Sequence, residues 1–332
     1  MPQFKWGILG LGKIAHKFAE DLTTIDGAKL WAVGSRSEER AKLFAQQYGA
    51  VSFFGTYAGL IASGQVDAVY ISTPHTSHLE LTIACLEAGI PVLCEKPMGM
   101  NASQVQTMIE AARESNTYLM EALWTRFLPS TKKVLTLIES GQIGTIEGLR
   151  ADFGFKAGPK SSQRITDKSL GAGSLLDIGI YPVFLAQLLF GPPVEIQAMA
   201  RLDENGIDVD CSLNFRYPGR QIAQLYATLL ARTKTEATIH GSEALIHWHP
   251  RWHEPSNFSI IKAFDQPPVN HFFDYDCAGY AYEAKAVMED VRAGRLENEL
   301  WSWADSLQLH ETLTEVRKVI GLSYPADLET SQ

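Results

Sequence analysis

The sequence predicts an α/β domain with a parallel sheet, followed by an α+β domain built on a large, mainly antiparallel open sheet covered by helices on one face. From Phe4 to about Met120, short apolar runs alternate with amphipathic helical stretches, a rhythm that demands parallel strands linked by crossover helices. After Arg126 strand signals follow one another without intervening helices. The chain has 332 residues and 45% hydrophobic content, enough for two cores of ordinary size. The division falls between residues 1–122 and 123–332.

In the first part, strands are expected at Lys5 to Leu9, Lys29 to Val33, Ala68 to Ser72, Val92 to Cys94 and Tyr118 to Met120. Helices lie between them at about Ile14 to Leu22, Glu38 to Tyr48, Ser77 to Ala88 and Ser103 to Glu114, with Gly27, Gly49 and Gly89 where helix ends need a positive φ. The second part opens with a helix from about Ser130 to Ser140. Strands follow at Ile146 to Phe155, Glu195 to Arg201, Val209 to Phe215, Gln221 to Leu229, Glu236 to Ile239 and Ala244 to Trp248. Val209, Cys211, Leu213 and Phe215 alternate with Asp208, Asp210, Ser212 and Asn214, so the sheet has unlike faces. Two late helices, about Tyr280 to Ala293 and Trp303 to Ile320, can cover only one of them. The Gln221 to Leu229 strand has apolar residues on both sides, Ile222 and Tyr226 against Ala223 and Leu225. An apolar open face invites a partner, which predicts a homodimer joined through this sheet.

Composition excludes several classes of partner. A net charge of -9 without a basic stripe opposes nucleic-acid binding. No run of apolar residues approaches the roughly 18 that a membrane span needs, and Phe4 to Leu11 is too short for a signal core. Cys85, Cys94, Cys211 and Cys277 show no C-x-x-C pairing, which fits reduced, buried thiols in a cytoplasmic protein and argues against a metal site. A small molecule is the expected partner.

Gly10-Leu11-Gly12-Lys13-Ile14-Ala15 follows the first strand and opens the first helix, giving G-x-G-x-x-A. Gly10 permits the tight turn, Gly12 lets a pyrophosphate approach the backbone, and small Ala15 allows close helix–strand packing. This context predicts a Rossmann-type dinucleotide-binding domain. Where an acidic residue would hold a free ribose 2′-hydroxyl, the second strand ends in Ser35-Arg36-Ser37, with Arg40 one turn on. A hydroxyl and guanidinium groups suit a 2′-phosphate, so NADP is favoured over NAD. The competing reading makes Arg36 and Arg40 a solvated helix start with Glu38 and Glu39.

Two further strand ends face the same crevice. One carries Ser72-Thr73-Pro74-His75-Thr76-Ser77-His78, in which Thr73-Pro74 turns the chain across the ribose side, Ser77 is a candidate helix cap, and His75 and His78 are either cofactor contacts or surface residues. The other carries Glu95-Lys96-Pro97, a lysine delivered by an apolar strand. In the second part, a glycine-rich stretch from Gly171 leads as a flexible loop into an apolar helix that runs to Phe190. Helical from Asp177, that segment puts Asp177 and Tyr181 on one face, and Pro182 makes the turn irregular. Asp177 as a helix cap and Tyr181 as core filler is the structural alternative.

Together the fingerprint, Glu95-Lys96-Pro97 and the Gly171 to Pro182 segment resemble the Gfo/Idh/MocA family of oxidoreductases over the whole chain. Met120 to Phe127 and Asp177 to Tyr181 are most similar to its dimeric dihydrodiol dehydrogenase and NADP-linked D-xylose dehydrogenase branch. The resemblance implies that Lys96 is catalytic, that Lys96-Pro97 is a cis peptide, and that Asp177 and Tyr181 line the substrate side. It also implies that Trp124 and Arg126 lie near the nicotinamide end and that the second sheet is a dimer surface. Many members carry His where this chain has Tyr181, which shifts the acid/base group from imidazole to phenol.

A free phenol, with a pKa of about 10, is a poor base at neutral pH, but a nearby ammonium favours its phenolate. The expected reaction is therefore NADP-dependent hydride transfer at a carbon-bound hydroxyl or carbonyl of a sugar or cyclic diol, with Lys96 and Tyr181 handling the proton and Asp177 orienting the substrate. Trp124, Phe153, Phe155, Trp248, Trp252 and Tyr280 are candidates for aromatic walls, and each is equally a normal core residue. The alternative is a catalytically silent dinucleotide-binding regulator or scaffold of the same fold.

Overall fold

The computed structural model describes residues 2–158, 165–263 and 265–329. They form two compact units, one made of the chain up to Phe127 with Tyr275–Leu307, the other of Leu128–Asp274 with the chain from Gln308 onward.

Among the described residues the first unit holds a six-stranded sheet of β1 (Phe4–Leu9), β2 (Ala28–Gly34), β3 (Ser52–Phe54), β4 (Ala68–Ile71), β5 (Val92–Glu95) and β6 (Leu119–Ala122). The strand order is β3-β2-β1-β4-β5-β6 and every pairing is parallel. Between the strands run α1 (Lys13–Leu22), α2 (Glu38–Tyr48), α3 (Tyr57–Ala62), α4 (His78–Glu87) and α5 (Ala102–Glu114). Ser37 and Asn101 cap α2 and α5 by accepting backbone N–H bonds, and Gly49 ends α2 in the left-handed conformation. The order reverses between β1 and β4, which opens a crevice at their carboxyl ends where ligands bind in such sheets. β3 and α3 were not expected from sequence: the strand is three residues long and only partly buried, too short to show a period.

The helix Tyr280–Arg292, expected to cover the second sheet, belongs to the first unit instead. Asp21 on α1 accepts from the amides of Ala278 (2.8 Å) and Ala281 (3.0 Å), Tyr118 donates to Asp290 (2.8 Å), and Leu119 N–H donates to Leu296 C=O (3.0 Å). The chain thus returns to the first unit, which holds this segment and also runs on to Phe127, whereas the sequence placed a single division between residues 122 and 123.

In the second unit, α6 (Pro129–Glu139) precedes an eight-stranded sheet. Its strands are β7 (Ile146–Gly154), β8 (Glu195–Leu202), β9 (Asp208–Arg216), β10 (Ile222–Thr228), β11 (Ala237–Gly241), β12 (Leu245–Trp248), β13 (Phe258–Ile261) and β14 (Val269–His271), in the order β14-β13-β12-β11-β7-β10-β9-β8. β7 pairs with β10 in parallel, and the other pairings are antiparallel. A π-helical turn, Leu175–Gly179, runs into α7 (Ile180–Phe190), and both pack on this sheet. Cys211, Leu213, Phe215, Ala223, Leu225 and Ala227 are buried, while Ile222 is 51% exposed on the other face of β10.

Lys168–Phe190 is long and apolar enough to cross a membrane by length and composition, contrary to the count of apolar runs, because Ser174, Asp177 and glycines interrupt it. In the fold, 83% of its most apolar window is buried, as in a core helix. The four cysteines are free thiols, three of them buried.

Candidate functional site

The fingerprint loop adopts the conformation its glycines require. Gly10 has φ +90°, and a Cβ there would lie 2.8 Å from the Thr73 side chain and amide. Gly10 N–H donates to Gly34 C=O (3.2 Å), and Ser72 Oγ donates to Gly10 C=O (2.8 Å), tying together the ends of β1, β2 and β4. At Gly12 nothing lies within 4 Å of a Cβ position, so the backbone is open to close approach. Gly12 is also the N-cap of α1 and supplies no side-chain cap, and Ala15 is fully buried behind it. Leu11 is buried, Ile14 partly buried and Lys13 exposed. These features fit a dinucleotide pyrophosphate.

The residues after β2 are brought to this loop. Arg40 Nη2 donates to Leu11 C=O at 3.2 Å, while its own amide donates to Ser37 Oγ at 3.3 Å. Ser35 is buried, and its hydroxyl accepts from Ser37 N–H at 3.2 Å. Arg36 hydrogen-bonds Tyr57, a residue sequence reasoning did not single out. Burial raises the Tyr57 phenol above its ordinary range, against the lowering effect of Arg36 and Arg40. One guanidinium on the fingerprint loop and a second on Tyr57 fit a 2′-phosphate.

At the end of β4, Thr73 and His75 are buried, and Pro74 leads into a short 3₁₀ turn, His75–Ser77. His78, expected to be a cofactor contact or a surface residue, is fully buried: Nδ1 is 2.9 Å from Pro97 C=O and Nε2 is 3.0 Å from Thr73 C=O. It clamps two loops that border the crevice. Ser77 precedes α4 without a side-chain capping bond.

The lysine-bearing loop is held from several directions within its unit. Glu95 accepts from the Tyr70 hydroxyl through one oxygen and from Lys96 N–H (3.1 Å) through the other. The Lys96–Pro97 peptide is cis, Pro97 C=O is bound by His78, and Met98 N–H donates to Glu121 at 2.9 Å. Lys96 itself is half-buried. Glu283 lies fully buried nearby; burial first, then Glu95 and Asp21, raise its carboxyl well above the usual range. Burial and Glu95 likewise raise Tyr70 well above the phenol range. Tyr70, Glu121 and Glu283 looked like ordinary strand and helix residues in sequence.

Trp124 is buried and stacks on Tyr280, with ring centroids 4.4 Å apart at 18°. Arg126 Nε donates to Leu300 C=O at 2.9 Å. In the second unit Asp177 sits in the π-helical turn and Tyr181 in the first turn of α7, both buried, and the turn is irregular as Pro182 requires. Tyr181 packs against Phe153 (5.8 Å between centroids) and His253 (4.7 Å). Phe155 joins a neighbouring cluster with Ile178. Trp248 and Trp252 are fully buried core residues whose indole N–H groups donate to Ser256 Oγ and Asp152 C=O, both at 3.1 Å, so they do not serve as walls.

The stretch expected as a flexible loop is pinned. Asp208 accepts from Ser174 Oγ (2.8 Å) and Leu175 N–H (2.6 Å), and Tyr324 donates to Ala172 C=O at 2.8 Å. Burial lifts the Asp208 carboxyl to about 6, against the hydrogen bonds that pull it down.

Known proteins resemble the chain in sequence and in fold. The model of the GFO/IDH/MocA oxidoreductase family, NAD-binding Rossmann fold, matches residues 4–123, and that of the GFO/IDH/MocA C-terminal domain matches residues 131–247. The chain is 33% identical to trans-1,2-dihydrobenzene-1,2-diol dehydrogenase of Xenopus tropicalis over 97% of its own length and 99% of the relative's. It is 34% identical to the Homo sapiens enzyme of the same name, over 97% and 98%. Among solved structures it is similar to KijD10, a 3-ketoreductase from Actinomadura kijaniata in complex with NADP and TDP-benzene (TM-score 0.85, 26% identity, 96% of this chain and 98% of that one). Aldose-aldose oxidoreductase from Caulobacter crescentus shares the fold, with a TM-score of 0.86 at 23% identity over 96% and 97%. By sequence and fold alike, the chain belongs to the GFO/IDH/MocA family of oxidoreductases.

Proposed function

We propose that this protein is an NADP(H)-dependent oxidoreductase acting on a carbon-bound hydroxyl or carbonyl of a sugar or cyclic diol, with Lys96 and Tyr181 as its proton-transfer pair. The observation that carries the reading is the clamped Glu95-Lys96-Pro97 loop, fixed by Tyr70, His78 and Glu121 at the carboxyl end of β5 in the same unit as the fingerprint. Relatives named as dihydrodiol dehydrogenases and a ketoreductase solved with NADP support the substrate class and the cofactor.

Arg36 and Arg40 bind the 2′-phosphate, and the open backbone at Gly12 receives the pyrophosphate. When bound, the nicotinamide ring supplies or accepts the hydride. The Lys96 ammonium stabilises negative charge developing on the reacting oxygen and favours the phenolate of Tyr181, which takes the hydroxyl proton in oxidation and returns it in reduction. Asp177 orients the substrate hydroxyl, and Phe153 supplies an apolar wall. Trp124, stacked on Tyr280, lines the nicotinamide end. The exposed face of the second sheet, with Ile222 uncovered, joins two copies in a homodimer in the cytoplasm.

Titrating NADPH and NADH by fluorescence, then screening trans-dihydrodiols, pentoses and hexoses at the nicotinamide band, tests the reading. NADPH-selective binding with turnover on a diol or sugar is expected, and Lys96→Ala and Tyr181→Phe should each lower turnover at least tenfold without weakening cofactor binding. Normal turnover in Tyr181→Phe would sink the proton assignment, and cofactor binding without turnover of any compound would point to a regulator.

A further inference from the structure

His253 lies outside the proposed proton-transfer pair and touches one of its members. The ring is buried, stacked on Phe153 at 4.1 Å between centroids and 29°, and packed against Tyr181 at 4.7 Å. Its Nε2 is 3.4 Å from Glu254 Oε1. Glu254 also accepts from Arg251 Nε (2.8 Å) and Nη2 (2.6 Å). Burial pulls the Glu254 carboxyl upward, but hydrogen bonds from His253 and Arg251 outweigh it and hold it at about 2, so Glu254 is an anion at any working pH.

Backbone geometry fits a built feature. Arg251 has φ +65°, uncommon for a residue with a side chain, and is held there by the hydrogen bond its N–H donates to Thr235 C=O (2.8 Å) and by its guanidinium on Glu254. A carboxylate on Nε2 fixes the tautomer and the ring plane, as in carboxylate–histidine pairs generally. Phe153 then fixes the ring from its face, and the ordered imidazole is left against the Tyr181 phenol.

We propose that His253, anchored by Glu254, is a positioning residue for Tyr181: it orients the phenol ring and makes that phenol give up its proton more readily. This rests on the reading of Tyr181 as the proton-carrying group. A polar ring beside a buried phenol favours the charged form, whereas an apolar ring of like size disfavours it. Among the described residues, other titratable groups on neighbouring elements include Asp177 in the π-helical turn, Asp152 on β7, Glu236 with Lys234 and His247, Asp208 on β9, and Tyr324. Asp152 is bound by the amides of Thr235 and Glu236, and Asp208 by Ser174 and Leu175.

The test needs no substrate. Tyrosinate absorbance is titrated in the wild-type protein and in Tyr181→Phe, and the difference isolates the Tyr181 midpoint; the same difference is then taken in His253→Phe and in Glu254→Asp backgrounds. His253→Phe should raise the midpoint by about one pH unit, tenfold less phenolate at fixed pH, and Glu254→Asp, which keeps the negative charge but withdraws the carboxylate from His253, should raise it by less. Midpoints unchanged in both backgrounds would overturn the proposal, and a rise in Glu254→Asp alone would sustain it should His253→Phe fail to fold. Turnover of Tyr181→Phe tests the underlying reading separately, since the titration reports on the phenol whether or not the phenol is catalytic.

Discussion

The imidazole Nδ1 of His78 lies 2.9 Å from the carbonyl oxygen of Pro97, beside the residue that carries the proposed catalytic ammonium. Its Nε2 faces a second carbonyl, that of Thr73, at 3.0 Å. One imidazole thus bridges the loop after β4 and the loop after β5 through its two ring nitrogens. His78→Phe keeps the bulk and orphans two buried carbonyls at about 1–3 kcal/mol each. Urea unfolding should show that loss. Where the variant folds, turnover should fall more than NADPH affinity, because the loop bearing Lys96 loosens while the fingerprint is untouched.

The proposed role of Arg40 in favouring NADP over NAD gives a second prediction. Its guanidinium already reaches the fingerprint loop through Leu11 C=O. Charge-assisted hydrogen bonds contribute about 1.5–3 kcal/mol each, so Arg40→Ala should weaken NADPH binding roughly 10- to 150-fold while leaving NADH nearly unchanged. Fluorescence titration of both cofactors on one protein checks this. Equal losses for both would place Arg40 in general loop support.

The parts of this site that sequence revealed are those written locally. Gly10, Gly12 and Ala15 follow a strand and open a helix, Lys96 ends a strand, and Pro182 announces an irregular turn; each signal lies within one element and its neighbour. What sequence concealed is contact between residues far apart along the chain. The Tyr280–Arg292 helix reads as cover for the nearest sheet, but Asp21 and Tyr118 bind it back to the first unit. His253 resembles any turn histidine until the fold sets it against Phe153 and Tyr181. Glu283 resembles any helix-surface acid until burial is seen.

Glu283 gives a pH prediction with a definite sign. Its folded-state carboxyl is raised well above the ordinary 4.5, by burial first and then by Glu95 and Asp21. Above that ordinary value the unfolded chain releases this proton while the folded chain keeps it, so the folded state binds more protons. Stability must then fall as pH rises from about 4.5 toward the raised value. Neither carboxyl oxygen has a hydrogen-bond partner among the described residues, so Glu283→Gln removes the ionisation and loses no such bond. Denaturation midpoints from pH 5 to 8 should show the variant gaining on the wild type as pH rises, and parallel curves would contradict the assignment.

Two glycines of the site should respond oppositely to one added methyl group. At Gly173, φ is +151° and a Cβ would sit 2.0 Å from Asp208 Oδ1 and 2.8 Å from the Tyr324 hydroxyl. Both neighbours are committed: Asp208 holds Ser174 and Leu175, and Tyr324 holds Ala172. Gly173→Ala must therefore displace one of these anchors as well as strain the backbone, at a combined cost of about 4 kcal/mol. At Gly12 the Cβ would meet nothing within 4 Å and φ is -85°, so Ala fits the protein. Its loss of stability should stay near 1 kcal/mol or less, the ordinary difference between Gly and Ala at a helix N-cap. The methyl would instead occupy the space where the cofactor approaches the backbone, and NADPH affinity should drop at least tenfold. Thermal unfolding and cofactor titration on the two variants separate the effects: Gly173→Ala should lose mainly stability, Gly12→Ala mainly binding, and normal NADPH affinity in Gly12→Ala would move the pyrophosphate away from that loop.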